Sequence, residues 1–98
     1  VSERLDIPVH FFWQPVITVG EKPLTDEERR IRAFTSDPVA RFEQDAAGRV
    51  ASASARISNL HYLGDVFDTV DSFVWIDPVH LTELGNRLVA QAIADVLP

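Results

Sequence analysis

The sequence contains no cysteine and no methionine, only four glycines and one tyrosine, and fewer basic residues than acidic ones, nine against fifteen. Each shortage removes a class of explanation. Without cysteine there are no disulfides, no thiolate metal ligands and no thiol nucleophile, although the compartment stays open because many secreted proteins also lack cysteine. With a net charge of -6 and acids and bases interleaved, no cationic face is offered to phosphates or anionic lipid, which argues against nucleic acid as a partner. No uninterrupted apolar run reaches membrane-spanning length, and Val1 to His10 has no basic start followed by an apolar stretch, so neither a membrane span nor a signal peptide is expected. The missing methionine carries a different expectation: translation begins with one, so Val1 was exposed by trimming or lies inside a longer protein, and the chain is read as a piece.

What is present is the makeup of one globular unit. Ninety-eight residues, 46% apolar and 24% charged, suffice for one small core and are too few for two ordinary domains, so residues 1–98 are read as a single segment. The organisation is α/β. The run LDIPVHFFWQPVI, bounded by Gly20 and Pro23, reads as a buried strand limited in length by Pro8 and Pro15. In PLTDEERRIRAF, Thr25 and Glu28 form a capping box and the acids of the first turn suit the helix dipole, which predicts a short helix burying Ile31 and Phe34. A longer helix is predicted from Asp37 as N-cap and Pro38 at the first helical position, with Val39, Phe42, Ala46, Val50, Ala53 and Ile57 on one face and Gly48 as its weak point. ISNLHYLGDVFDTV reads as a second strand, and after a short extended SFVWID a final helix is predicted from Thr82 to about Leu97. There is no internal repeat and no linker long enough to divide the chain.

The stretch FVWIDPVHLTELGNRLVAQAI holds the most chemistry. Asp77 precedes Pro78, which pushes its backbone towards an extended conformation and breaks any helix there, so Asp77 and His80 are expected in a loop. Thr82 can cap the next helix, whose Leu84, Leu88, Val89, Ala92, Ile93 and Val96 make a broad apolar face, while Gly85 permits close backbone approach. A histidine acting as a general base must keep one tautomer and aim one ring nitrogen at its target, and a carboxylate bonded to the other nitrogen enforces both. Asp77 stands at the spacing to do this for His80, although an Asp-x-x-His pair by itself also arises where the acid caps a loop and the histidine fills a polar corner.

VWIDPVHLTELGNRLVAQAI resembles the C-terminal block of the SGNH (GDSL) hydrolase family, where an Asp-x-x-His pair precedes a glycine-containing helix rich in alanine and aliphatic residues. Less distinctively, IPVHFFWQPVITVGEKPLTDEE looks like that family's late strand with its following loop and helix, and NLHYLGDVFD like the last strand before the catalytic loop. The resemblance implies the C-terminal part of a three-layer α/β/α parallel-sheet, flavodoxin-like fold, with His80 as general base and Asp77 as the residue that orients it. It implies a Ser-His-Asp ester hydrolase acting on an ester substrate, without a cofactor or metal. The departures are equally plain. The family's nucleophile lies in a Gly-Asp-Ser motif, and Ser2, Ser36, Ser52, Ser54, Ser58 and Ser72 all lack that context. Asn59 and Asn86 likewise lack the Gly-x-Asn-Asp setting of the family's oxyanion block. The expected partner is therefore the N-terminal half of the same protein, or a second chain, bringing the serine, and the segment alone is expected to hydrolyse little.

Other residues carry simpler readings. His10 and His61 are read as packed strand histidines, and a zinc site from His10, His61, His80 and Asp77 is set aside because only the last two have compact spacing. Asp65, Asp68 and Asp71 lack the glycine and spacing of a calcium loop. Phe11, Phe12 and Trp13 are expected to pack on the faces of a covered sheet, whereas Trp75, two residues before Asp77, is expected at the substrate pocket. A reading from another class stands beside the hydrolase one: a non-catalytic α/β assembly or partner-binding module whose apolar faces are covered by another chain.

Overall fold

The computed structural model describes residues 7–97. Leu5 and Asp6 at the start of the first predicted strand, and Ser2 among the serines, lie outside them. Two short strands, β1 (Phe11–Trp13) and β2 (Leu60–Tyr62), flank two helices, α1 (Asp26–Arg32) and α2 (Asp37–Ser54), and a third helix, α3 (Glu83–Val96), closes the chain. The strands pair in parallel with Phe11 opposite Leu60, Phe12 opposite His61 and Trp13 opposite Tyr62. Parallel pairing needs a long crossover, and α1 and α2 supply it. No helix of the described residues is long and apolar enough to cross a membrane.

Both strands are shorter than the apolar runs that announced them. Pro15 has no N–H to give a ladder, and β1 ends two residues before it. Beyond β2 the chain folds into successive tight turns, with Val66 bonded back to Leu63 (3.2 Å), Asp68 to Asp65 (3.1 Å) and Val70 to Phe67 (2.9 Å). Gly64 and the clustered aspartates favour turns over a ladder, which is why ISNLHYLGDVFDTV yields three strand residues rather than a full strand. The Asp68 side chain holds a turn elsewhere: its Oδ1 accepts from the Glu21 N–H at 2.8 Å and closes the turn at Gly20, whose φ of +88° suits glycine.

Thr25 and Glu28 form the predicted capping box of α1. Phe34, expected to be buried by this helix, is instead 86% exposed, because α1 stops at Arg32 and Phe34 falls in the turn after it. In α2 the N-cap is Ser36 rather than Asp37, the Ser36 hydroxyl accepting from Val39. The face turned inward is shifted from the periodic one: Ala40 and Ala47 are buried and the predicted Ala46, Val50 and Ala53 are half-buried, whereas Val39 and Ile57 are exposed and Phe42 is 74% exposed. Alanines two turns apart let the helix backbone approach closely. The same side is fixed by polar bonds, the Thr18 hydroxyl donating to Glu43 (2.8 Å) and the Gln44 amide to the Thr18 carbonyl (3.0 Å).

The core lies between the turns after β2, the segment leading to α3, and α3 itself. Ile17, Phe67, Val74 and Trp75 form its centre, with Leu24, Ile31, Leu81 and Leu88 packed around them. Glu28 runs through it fully buried. One of its oxygens accepts from the Lys22 ammonium (2.7 Å) and the Thr25 N–H (3.0 Å), the other from the N–H groups of Val74 (2.8 Å) and Trp75 (3.2 Å). A helix-capping carboxylate thus ties α1 to the segment that precedes the Asp77–His80 loop.

Candidate active site

Asp77 and His80 stand at the tip of a small antiparallel hairpin that was not expected from SFVWID. Trp75 bridges Leu81, the Thr82 N–H donates to the Val74 carbonyl (2.8 Å), and the Ile76 N–H donates to the His80 carbonyl (2.9 Å). Three supports hold this hairpin. Glu28 binds the N–H groups of its first arm. Its tip is tied to the segment after β1 by the Ile17 N–H, which donates to the Pro78 carbonyl at 3.0 Å. Its second arm runs directly into α3, where the Thr82 hydroxyl caps the helix by accepting from Gly85 (3.2 Å). Gly85 provides the expected close approach: a Cβ there would lie 2.8 Å from the Val74 carbonyl oxygen and 3.0 Å from the Leu81 Cβ.

Within the tip, Asp77 builds the loop and orients the histidine with one carboxylate. Its Oδ1 accepts from the N–H groups of Val79 (2.9 Å) and His80 (2.8 Å), and the His80 Nδ1 lies 2.7 Å from Oδ2 and 3.0 Å from Oδ1. The backbone N–H of Val79, then that of His80, hold the Asp77 carboxyl below its ordinary value; desolvation opposes them, and the His80 ring adds a smaller lowering. An ionised Asp77 has no proton to offer, so the shared proton sits on Nδ1. In neutral His80 this leaves the lone pair on Nε2, and the side chain is 74% exposed.

Beside the ring opens a cleft of about 520 Å³. Pro15, Ile76, Val79, Leu81 and Val89 give it apolar walls, and Gln14 and Asn86 bring amide groups to it. Gln14 follows β1 directly, so the cleft lies at the carboxyl end of a parallel strand, the usual place for a ligand in an α/β sheet. Neither amide was singled out from sequence as lining a pocket. The one available signal was the position of Gln14 at the end of a predicted strand.

Trp75 is placed elsewhere than expected. It is 2% exposed and packs edge-to-face on Phe67, with ring centroids 5.6 Å apart and planes at 89°. It lines a separate cavity of about 170 Å³ rather than the cleft at His80. Successive residues of an extended segment point to opposite faces, so Trp75 enters the core and Ile76 takes the place beside the site.

Among the described residues no serine hydroxyl is hydrogen-bonded to His80, whose ring partner is Asp77. Ser36 caps α2, and Ser54 donates to the Ala51 carbonyl. No group of three or more His, Asp or Glu side chains among the described residues is placed to hold a metal ion. Comparison of the chain with protein-family models, curated proteins and solved structures gives no match.

Proposed function

We propose that the chain is the C-terminal part of an SGNH-type serine ester hydrolase domain, contributing the general base and its orienting acid. The observation that carries this reading is the Asp77–His80 pair: a carboxylate held by two backbone N–H groups and bonded to Nδ1 at 2.7 Å, beneath a ring exposed at the edge of an apolar cleft. His80 Nε2 would take the proton of a serine hydroxyl as that oxygen attacks an ester carbonyl, return it to the departing alcohol, and then activate water to release the acyl group. Asp77 fixes the tautomer through both half-reactions. The serine and the oxyanion donors come from the N-terminal half of the same protein or from a second chain.

The exposure of Phe34 (86%) and Phe42 (74%) also favours a second reading, a non-catalytic assembly module covered by another chain. The two readings differ in what reaches His80. The test uses the full protein that carries this segment. A phosphonate probe should label a single serine, and His80→Ala should lower turnover of a chromogenic ester on the order of 10^4-fold or more with KM little changed. Turnover that survives the substitution refutes the hydrolase reading.

A further inference from the structure

On the two-stranded sheet, a second pair of ring nitrogens lies far from Asp77 in sequence. Side chains alternate along a strand, so His10, just ahead of β1, shares a face with Phe12, and Phe12 stands directly opposite His61 on β2. The His10 Nδ1 and the His61 Nε2 are 2.9 Å apart, with ring planes 25° from parallel. Both residues are half-buried, so solvent reaches them. Phe12 packs on the His61 ring with centroids 4.9 Å apart. The backbone around them is clamped: the Asn59 side chain donates to the Val9 carbonyl (3.0 Å), and the Phe11 N–H donates to the Asn59 carbonyl (2.8 Å).

We propose that His10 and His61 form a two-histidine site for a late first-row divalent metal ion, Cu(II) above Ni(II) and Zn(II), that joins β1 to β2. The spacing carries the argument. With metal–nitrogen bonds of about 2.0 Å, two ligands in adjacent square-planar positions are separated by about 2.8 Å, and in tetrahedral positions by about 3.3 Å. The observed 2.9 Å, the length of the hydrogen bond between the two rings, is already close to the square-planar separation, so reorientation towards Cu(II) or Ni(II) needs little change of distance, and a small opening admits Zn(II). Cu(II) also leads the affinity order for imidazole ligands. Without metal the two nitrogens share one N–H···N bond. To bind, the donating ring moves its proton to its far nitrogen and both rings turn until their lone pairs converge, so a neutral pair releases no proton. Water fills the remaining positions, and the net charge of -6 favours arrival of a cation.

The test is a Cu(II) titration of the chain. The expected result is one equivalent bound with two-nitrogen hyperfine structure in the electron paramagnetic resonance spectrum, together with a rise in the thermal unfolding midpoint. His10→Ala and His61→Ala should each weaken affinity at least about tenfold, since loss of even an outer partner of a ligating histidine costs that much, while His80→Ala leaves it unchanged. Because a strand substitution can disturb folding, paramagnetic broadening in the unsubstituted protein gives a second measure: substoichiometric Cu(II) should broaden the His10 and His61 ring resonances first. Broadening that begins at His80, one-nitrogen coordination, or affinity indifferent to His10 and His61 overturns the proposal.

Discussion

Glu28→Gln replaces a carboxylate oxygen with an amide nitrogen at a buried point where four donors meet two acceptors. Lys22 Nζ and the Thr25 N–H converge on one oxygen, and the Val74 and Trp75 N–H groups on the other. A glutamine has one carbonyl oxygen, so either orientation serves one pair of donors and turns an NH2 group towards the other. Two buried donors lose their acceptor, at about 1 to 3 kcal/mol each. The Lys22 ammonium, 5% exposed, also loses its counter-charge, and breaking a buried ion pair from one side costs about 3 to 5 kcal/mol. These costs overlap, and an expected loss of about 3 to 5 kcal/mol is a large part of a small domain's stability of about 5 to 15 kcal/mol. In urea unfolding followed by circular dichroism, the midpoint should fall by roughly 1 to 5 M, the loss divided by a slope of about 1 to 3 kcal/mol per M.

Two controls separate the contributions. Lys22→Met combined with Glu28→Gln removes the stranded ammonium but not the stranded N–H groups, so the double variant should be less destabilised than Glu28→Gln alone without returning to the parent value. Acid provides the other. Burial alone would raise the Glu28 carboxyl, but the Lys22 hydrogen bond, the N–H groups of Thr25 and Val74 and the Lys22 charge together bring it below its ordinary 4.5. Its stabilising contribution is therefore complete above about pH 4.5 and is lost as pH falls through the lower folded value. The unsubstituted protein should lose stability more steeply below that pH than Glu28→Gln does. A change in unfolding free energy under about 1 kcal/mol for Glu28→Gln would refute the assignment of Glu28 as the tie between α1 and the hairpin.

Two glycines in helices should respond to alanine with opposite sign. Gly48 has open space where a Cβ would go, so Gly48→Ala should stabilise by about 0.5 to 1 kcal/mol, whereas Gly85→Ala drives a methyl against the Val74 carbonyl at 2.8 Å and should cost about 1 to 3 kcal/mol despite the same helical gain; calorimetry reads both. Asp77→Asn keeps an oxygen for the Val79 and His80 N–H groups but turns an NH2 towards His80 Nδ1. The loop should survive while neutral His80 moves its proton to Nε2, a change visible in the ring nitrogen chemical shifts; an unchanged tautomer would mean that Asp77 does not orient the ring.

How much of this was legible in the sequence follows from how far apart the partners lie. The Thr25–Glu28 box, the Thr82 cap, the Pro78 break and the Asp77–His80 spacing are all settled within three or four residues, and each reads directly. The second oxygen of Glu28 reaches Val74, 46 residues away, and nothing local announces that bond. The cleft escapes a sequence reading for the same reason, because Gln14 and Asn86 meet only when the end of β1 comes beside α3. Trp75 illustrates the converse. Proximity to Asp77 along the chain placed it at the site, but alternation in an extended segment sends it into the core.

Helix α2 shows why periodicity alone misjudges a face. Val39, Phe42, Ala46, Val50, Ala53 and Ile57 repeat at helical spacing, yet burial is deepest at Ala40 and Ala47; Ala46, Val50 and Ala53 are half-buried beside them, and Val39, Phe42 and Ile57 remain exposed. Hydrophobicity ranks faces by what they would gain from burial, whereas packing also ranks them by how closely backbones can approach. Two alanines, the bond that Thr18 donates to Glu43 and the bond that Gln44 donates to Thr18 win that contest against larger side chains. Phe42 thus keeps an apolar side chain in water on the side of α2 that the observed sheet does not cover. Under either proposed reading a chain that covers this side gains from it, since burying one phenylalanine is favourable by about 1.5 to 3 kcal/mol.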